Sequence, residues 1–228
     1  MTQRTAVVAG VGPNLGESIV RRFSDEGCAV ACLARSEEYL NEVVDGIRVS
    51  GGEALAVPCD ITDNEEIADA FERIRNTYGG VDVLVNNASA ADWDGILETT
   101  PEGFERALSV SAYGSFVCTR HAVDDMLADG GGTVIFTGAT SSVRGREGAV
   151  GFSAGKFAVR GLAESVAREL GSQGIHVAHV VIDGGISDED DDATLHPDEI
   201  ARSYWNLVEQ DRSAWTLELD LRPYAEEF

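Results

Sequence analysis

Three glycines near the start of the chain stand where a backbone could approach a phosphate. Gly10, Gly12 and Gly16 follow the apolar run AVV at 6–8, which is typical of a buried strand. A backbone without Cβ atoms can approach a pyrophosphate closely, and a helix that opens near Asn14 would direct unpaired N–H groups at it. An ordinary tight turn explains the glycines equally well, so the rest of the chain has to decide.

A single lysine is the second candidate for chemistry. The chain carries 17 Lys and Arg residues, and Lys156 is its only lysine. A lysine is a compact point charge, whereas an arginine is a planar fork, so one lysine among arginines indicates a position that needs the compact ammonium.

The elements that must position these residues alternate in type along the chain. Short apolar runs predict strands, and apolar residues at helical spacing, such as Ile67, Ala70, Phe71 and Ile74, predict helices. This alternation is typical of a Rossmann-type α/β fold, a doubly wound parallel sheet of about seven strands with helices on both faces. We predict strands at 6–8, 29–34, 54–58, 81–85, 133–137, 175–182 and 215–221, and helices from Asn14 to near Gly27, at 36–49, after Asp63, and at 101–126, 152–170 and 197–208.

Length and composition favour one intracellular domain. At 228 residues and 43% hydrophobic content, the chain can bury one substantial core, and it shows no linker or repeat. We therefore expect a single dinucleotide-binding domain over residues 1–228. No charged leader precedes an apolar segment, and no apolar stretch is long enough to cross a bilayer, so the sequence predicts a cytoplasmic protein without a membrane partner.

The net charge of −23 is the most unusual bulk property. Such a charge repels itself in dilute buffer, whereas at molar salt the screening length falls to roughly 3 Å. The charge therefore predicts a protein from a salt-accumulating halophile. An acidic surface made for a basic partner fits less well, because the carboxylates are spread along the whole chain. Nucleic acid is disfavoured as a partner, because nothing supplies a basic stripe.

Neither the cysteines nor the histidines indicate a metal site. The cysteines lack CxxC spacing, and buried thiols are the favoured interpretation. His176 and His179 lie three apart on a predicted strand, so they point to opposite faces and cannot share one metal. The acidic run DEDDD at 188–192 could bind a cation but is more typical of a solvated loop. The four cysteines are Cys28, Cys32, Cys59 and Cys118.

Arg35 follows the second predicted strand, roughly 20 residues beyond the glycines, where a dinucleotide fold meets the adenosine ribose. A carboxylate at that place would bind the 2′-hydroxyl of NAD and repel a 2′-phosphate. An arginine favours NADP(H) over NAD(H) instead. The alternative is an arginine that only faces solvent.

Taken together, these residues resemble the short-chain dehydrogenase/reductase family over nearly the full chain. The resemblance adds Asp60 after the third strand, NNA at 86–88 after the fourth, and FSAGK at 152–156. Asn14 stands where the family's middle glycine usually lies, and asparagine tolerates left-handed backbone angles better than most residues. The resemblance implies an NADP(H)-dependent oxidoreductase that acts on a carbonyl or related small molecule.

The resemblance also implies a set of cofactor contacts. In the family, residues that match Asp60 and Asn87 contact the adenine and ribose ends of the cofactor. Ile186 stands where a backbone group holds the nicotinamide amide. The implied cofactor-binding residues are Gly10, Gly12, Asn14, Leu15, Gly16, Arg35, Ser36, Asp60, Ile61, Asn87, Ala88, Lys156, Gly184 and Ile186.

The implied catalytic positions depart from the family pattern. The family uses a tyrosine for the proton, a lysine four residues later, a serine thirteen residues before the tyrosine and an asparagine on the preceding long helix. Lys156 is present, but Phe152 occupies the tyrosine position and Ala139 the serine position. Ser109 corresponds best to the asparagine. Phe152 could also simply pack as the first apolar residue of its helix.

Two functions stay open for such a site. In the first, the protein is a reductase in which Ser141, Ser142, Tyr113 or a water held by Lys156 delivers the proton. General acid catalysis contributes about 10²–10⁴-fold, so losing the usual acid need not abolish turnover. In the second, the chain binds NADP(H) without turnover, as a regulator or assembly subunit. The resemblance also implies a homodimer or homotetramer built through helices 101–126 and 152–170.

Overall fold

A computed structural model describes residues 3–189 and 192–225. Its centre is a sheet of seven strands in the order β3-β2-β1-β4-β5-β6-β9, and all neighbouring strands are parallel. A separate parallel pair joins β7 to β8. The strands are β1 Thr5–Ala9, β2 Ala29–Ala34, β3 Glu53–Pro58, β4 Val83–Asn86, β5 Gly132–Thr137, β6 Ile175–Ile182, β7 Gly185–Ile186, β8 Thr194–Leu195 and β9 Glu218–Leu221.

Helices cover both faces of this sheet, which confirms the predicted Rossmann-type α/β fold. α1, α2 and α7 bury their apolar residues against one face, whereas α3, α5 and α6 bury theirs against the other. The helices are α1 Leu15–Asp25, α2 Glu37–Val49, α3 Asn64–Tyr78, α4 Pro101–Leu108, α5 Gly114–Ala128, α6 Val150–Leu170 and α7 Pro197–Val208.

The central strands are mostly apolar and almost entirely buried because each contributes to two cores. In β1, Ala6 and Val8 face the core beneath α1, whereas Val7 and Ala9 face the core beneath α3. Successive side chains of a strand point to opposite faces, so a strand covered on both sides has no position for a solvated residue. All five residues of β1 are buried.

The predicted helix 101–126 is interrupted. Its two halves, α4 and α5, are joined by a π-helical turn, Ser109–Tyr113. This turn lies against α6, where a Cβ on Gly155 would come within 3.1 Å of the Ala107 carbonyl oxygen. Apolar periodicity could not reveal one widened turn inside an otherwise regular pattern.

Two predicted strands are shorter in the structure because neighbouring groups take over their hydrogen bonds. β4 begins at Val83 rather than at residue 81, and the Asp82 carboxylate accepts the Thr5 amide at 2.7 Å. β9 begins at Glu218 rather than at residue 215, because the Thr216 amide donates to the Gln210 side chain at 2.8 Å. The predicted helix 152–170 starts two residues earlier, at Val150.

Within residues 3–189 and 192–225, no helix combines the length and apolar character that a membrane span requires.

Candidate functional site

A cleft opens at the carboxyl ends of the sheet strands, where the chain order reverses between β1 and β4. Such a switch point is the usual ligand-binding place of an open α/β sheet. Two cavities of about 330 and 580 Å³ form the cleft. They are continuous, because both are lined by Gly10, Gly12 and Asn87. The smaller cavity is called the inner cavity below, and the larger one the outer cavity.

The glycine turn between β1 and α1 forms the floor shared by both cavities. Gly10 has φ +104°, and a Cβ there would lie 2.4 Å from the Ala88 amide nitrogen. At Gly16 a Cβ would lie 2.7 Å from the Gly10 carbonyl oxygen. At Gly12 a Cβ would meet no atom within 4 Å. Larger residues at Gly10 and Gly16 would therefore displace the turn.

The amino end of α1 is free to bind an anion. Asn14 precedes the helix and makes no side-chain capping hydrogen bond, whereas Ser36, Asp63 and Thr100 cap α2, α3 and α4. Unpaired N–H groups at a helix start bind phosphate readily. Together with the crowded glycines, this uncapped end fits the pyrophosphate of a dinucleotide.

Asn14 itself has positive φ, as predicted for the family's middle-glycine position. Its φ is 65° and its ψ is −116°. This ψ lies far from the left-handed helical region, in which asparagine is comparatively tolerated. The conformation is one that suits glycine, so Asn14 is strained.

The outer cavity receives the residues predicted at the adenosine end. Arg35 lines it with an exposed side chain, and Asp60, Ile61 and Ala88 line it as well. Two hydrogen bonds from Thr62, from its amide at 2.9 Å and from its hydroxyl at 2.7 Å, hold the pKa of Asp60 below its usual value. Ser36, which is also predicted there, does not line the outer cavity. Its side chain instead accepts a hydrogen bond from the Tyr39 amide and caps α2.

A buried network joins the strand ends beneath the cleft. The Asn87 amide group donates to the Gly10 carbonyl oxygen at 2.8 Å and accepts from the Thr137 hydroxyl at 3.1 Å. The Tyr204 hydroxyl of α7 donates to the same Thr137 oxygen at 3.0 Å. Asn87 therefore ties β1 to β5. Sequence reasoning did not identify Tyr204 and Thr137 as supports of the site.

Lys156 lies at the inner cavity with only 3% of its surface exposed. Its ammonium donates to the Thr137 carbonyl oxygen at 2.8 Å and stands 5.6 Å from the centre of the Phe152 ring. No carboxylate within the described residues forms an ion pair with it, and burial lowers the pKa of Lys156 to about 8. The chain's only lysine is therefore a buried cation close to its own deprotonation.

The two serines after β5 take different places. Ser141 and Ala139 line the inner cavity, and Ser141 makes no side-chain hydrogen bond within the described residues. Ser142 is fully buried, accepts the Ala139 amide at 3.0 Å and lies 3.2 Å from the His179 ring. Burial lowers the pKa of His179. Ser141 is thus placed to meet a ligand, whereas Ser142 fixes the turn that carries it.

The structure does not bring Tyr113 or Ser109 to either cavity. Tyr113 is 45% exposed on the outer side of the π-helical turn. Two residues after Ser109, Ser111 is fully buried against Gly155, and its hydroxyl has no partner within the described residues. Sequence reasoning missed Ser111, because only the widened turn directs it at α6.

The segment after β6 closes one side of the inner cavity. Gly184 and Ile186, which the resemblance implies as cofactor contacts, both line it. The acidic residues that follow lie elsewhere: Asp188, Glu189 and Asp192 border a separate surface hollow with Tyr224. Residues 190 and 191 of the run DEDDD lie outside the described residues, and the described part holds no metal-binding group of three His, Cys, Asp or Glu side chains.

Two aromatic rings and an arginine line one part of the inner cavity: Trp93, Phe152 and Arg146. The Trp93 and Phe152 ring centres are 5.2 Å apart, and the Arg146 guanidinium lies 5.0 Å from the Trp93 ring. Sequence reasoning missed Trp93 and Arg146, because their loops approach α6 only in the tertiary structure. The sequence left open whether Phe152 only packs as the first apolar residue of its helix. In the structure its side chain also lines the inner cavity.

Comparison with known proteins gives a consistent result. Residues 4–190 match the short chain dehydrogenase family. A curated relative, secoisolariciresinol dehydrogenase of Forsythia intermedia, is 31% identical over 176 residues, which are 76% of this chain. The match spans 63% of the length of that relative.

Solved structures match almost the whole chain. A short-chain dehydrogenase from Rhodopseudomonas palustris is 34% identical with a TM-score of 0.88, covering 97% of this chain and 99% of its own. A metagenomic short-chain oxidoreductase in complex with NADP is 26% identical, with a TM-score of 0.88 and 98% coverage of both chains. The 3-ketoacyl-(acyl-carrier-protein) reductase of Brucella melitensis, complexed with NADH, is 25% identical, with a TM-score of 0.89 and 98% coverage of both.

Proposed function

The chain belongs to the short-chain dehydrogenase family, and from this premise we propose that it is an NADP(H)-dependent oxidoreductase that reduces a small carbonyl compound. The observation that carries the proposal is Lys156, a buried and unpaired ammonium at the cavity that begins at the glycine turn. Burying an unpaired cation is costly, so a fold retains one where it serves a ligand.

Arg35 supports NADP(H) rather than NAD(H). Its side chain lines the outer cavity and forms no ion pair within the described residues, whereas most arginines of the chain have a carboxylate partner. A free guanidinium at this place suits a 2′-phosphate. The similar structures carry NADP in one case and NADH in another, so the preference needs a direct test. A fluorescence titration should give tighter binding of NADPH than of NADH, and Arg35→Gln should remove the difference.

Two cavity residues are proposed for the chemistry at the carbonyl. NADPH supplies the hydride, so the protein must hold the carbonyl oxygen and allow a proton to reach it. Ser141 is proposed as the hydrogen-bond donor to that oxygen, because its hydroxyl is otherwise unused. Lys156, directly or through a water, is proposed as the proton source in place of the tyrosine that Phe152 replaces.

The test is NADPH oxidation against aldehydes, ketones and quinones at molar KCl, with native protein, Lys156→Ala and Phe152→Tyr. We expect turnover by the native protein and its loss in Lys156→Ala. Each variant is first titrated with NADPH, so that an inactive variant can be separated from one that no longer binds. If native protein binds NADPH and only Phe152→Tyr turns over, the protein is a catalytically silent NADP(H)-binding regulator or assembly subunit.

We also propose a cytoplasmic homodimer or homotetramer formed through α6 and the predicted helix 101–126, which comprises α4, the π-helical turn and most of α5. These helices and the π-helical turn leave three aromatic side chains nearly half exposed, Tyr113 at 45%, Phe116 at 48% and Phe157 at 43%. α5 and α6 both pack on the same side of the sheet, and exposed aromatic residues are typical of an interface. Light scattering should show a smaller particle for the double variant Phe116→Glu with Phe157→Glu.

A further inference from the structure

The inner cavity differs in charge from the rest of the molecule. The chain has 40 Asp and Glu residues, yet no carboxylate side chain within residues 3–189 and 192–225 lines this cavity. Two cations line it instead, Lys156 and Arg146. In a strongly acidic protein, a cavity without carboxylates and with two cations is prepared for an anionic ligand.

Arg146 has no acidic partner of its own. Most arginines of the chain form ion pairs, and Asp92, which precedes Trp93 in the sequence, is paired with Arg106. Arg146 forms no ion pair within the described residues. Its guanidinium therefore retains all of its hydrogen-bond donors for a ligand.

Trp93 holds this free guanidinium at the cavity wall. The Arg146 guanidinium lies 5.0 Å from the centre of the Trp93 ring, within the range of a cation–π contact. Trp93 in turn contacts Phe152, and Phe152 contacts Lys156. The two cations are thus linked through two aromatic rings in contact, so a ligand that contacts both Lys156 and Arg146 would meet the apolar surface of Phe152 and Trp93.

We infer that the substrate is a carbonyl compound with a carboxylate remote from the carbonyl group, and that Arg146 binds this carboxylate. The inference rests on the proposed function, because it assigns the carbonyl to the Lys156 end of the same cavity. Trp93 and Phe152 contact the carbon skeleton between the two groups. A carboxylate accepts two parallel bonds from one guanidinium, so the site also selects by geometry.

A contact between Arg146 and the cofactor is the competing explanation. The pyrophosphate is expected at Gly10, Gly12 and the start of α1, whereas Arg146 lines the inner cavity beside the Trp93 ring. The two explanations differ in what an Arg146 variant loses. Loss of carboxylate binding supports the inference, and loss of NADPH binding overturns it.

The binding test uses benzoate and benzamide, which have the same ring and differ in charge. Calorimetric titrations are made with and without NADPH, at one KCl concentration, on native protein and Arg146→Gln. Arg73→Gln is the matched control, because Arg73 is exposed on α3 and forms no ion pair within the described residues. We expect Arg146→Gln to weaken benzoate binding by about tenfold or more and to leave benzamide unchanged.

The kinetic test uses 4-carboxybenzaldehyde and its methyl ester. The ratio of kcat/KM for acid over ester should fall by about tenfold or more in Arg146→Gln and stay constant in Arg73→Gln. Equal benzoate binding by native protein and Arg146→Gln, or no benzoate binding by either, overturns the inference even if neutral aldehydes are reduced. Arg146-dependent benzoate binding without turnover of any carbonyl overturns the proposed function and leaves the anion site standing.

Discussion

At the scale of one residue, burial of the charged Lys156 lowers the free energy of unfolding of the protein. The folded protein holds this ammonium where burial lowers its pKa to about 8, whereas an unfolded chain exposes it with a pKa of about 10.4. A group whose pKa is depressed on folding binds fewer protons in the folded state. The free energy of unfolding that Lys156 contributes therefore rises with pH between about 8 and 10.4.

The first prediction follows from this sign. Lys156→Met should raise the free energy of unfolding of the cofactor-free protein at pH 7 by roughly 1–3 kcal/mol, because it removes a buried charge and keeps the apolar stem. The gain should shrink as pH rises towards 10.4. Urea unfolding of both proteins at several pH values measures it.

The contribution of Lys156 is obtained by subtracting the free energy of unfolding of native protein from that of Lys156→Met at each pH. The buried thiols, such as Cys28 and Cys118, have pKa values raised to about 11 and 12. Their contribution to the free energy of unfolding therefore falls as pH rises, opposite to that of Lys156. Their contribution cancels between native protein and Lys156→Met, and no second lysine titrates in this window. A pH-independent difference would contradict the burial of a charged Lys156.

At the scale of an element, the glycine turn carries one position that does not suit its residue. Asn14 has φ 65° and ψ −116°, angles that glycine adopts without a Cβ penalty. We predict that Asn14→Gly raises the free energy of unfolding by about 0.5–1 kcal/mol, since relief of strain exceeds the entropy cost of a glycine. Thermal unfolding measures the change.

Asn14→Ala is the matched control for this turn. Alanine keeps the Cβ and lacks the local hydrogen bonding of asparagine, so it should lower stability by about 1 kcal/mol or more. If the glycine and alanine variants were destabilised equally, the Asn14 side chain would itself stabilise the turn, and backbone strain would not decide its stability.

In the turn after β5, two adjacent serines are expected to have different roles: Ser142 supports the turn, and Ser141 is proposed to act on the substrate. Ser142→Ala would remove the hydrogen-bond partner of the half-buried Ala139 amide and of the buried His179 Nε2, so we predict a loss of about 1–3 kcal/mol in stability. Ser141→Ala removes a hydroxyl with no protein partner, so its stability should change by less than about 0.5 kcal/mol. Turnover should fall about 10²–10³-fold in Ser141→Ala if it donates to the carbonyl oxygen.

Two assays on the same pair decide between these roles. Chemical unfolding gives the stability of each variant, and steady-state NADPH oxidation gives kcat. Wild-type turnover by Ser141→Ala would remove Ser141 from the chemistry, and a stable Ser142→Ala would show that the turn does not depend on His179.

At the scale of the whole molecule, the net charge of −23 sets the response to salt. The screening length falls from about 10 Å at 0.1 M to about 3 Å at 1 M, so repulsion among surface carboxylates weakens steeply over this range. We predict that Tm rises by about 5–15 °C between 0.1 and 1 M KCl and then levels off. Scanning calorimetry measures the rise.

Sucrose at matched osmolarity is the control for this prediction. It stabilises by exclusion from the protein surface and screens no charge, so its effect should lack the plateau. An unchanged or falling Tm in KCl would contradict both the repulsion argument and the halophilic origin inferred from composition.

The sequence by itself determined the fold and the meeting of the glycine turn with the ends of the neighbouring strands at one cleft. Strand–helix alternation predicts a parallel doubly wound sheet, and in such a sheet the carboxyl ends of the strands meet at one edge. Gly10, Arg35, Asp60 and Asn87 each follow a predicted strand, so their meeting at one cleft could be inferred without coordinates. This information is local, because it needs only the period of each element and the residue at its end.

Only the tertiary structure decided which side chains line the rest of the inner cavity. Arg146, Trp93 and Phe152 come from separate segments, and no period in the sequence relates them. The π-helical turn that directs Ser111 at α6 and turns Tyr113 outward changes one helical turn and leaves no signature in composition. Likewise, Ser141 and Ser142 are identical in type and adjacent in sequence, and the approach of His179 on β6 separates their roles. These features depend on which loops and helices pack together, and packing is a property of the whole fold rather than of any stretch of chain.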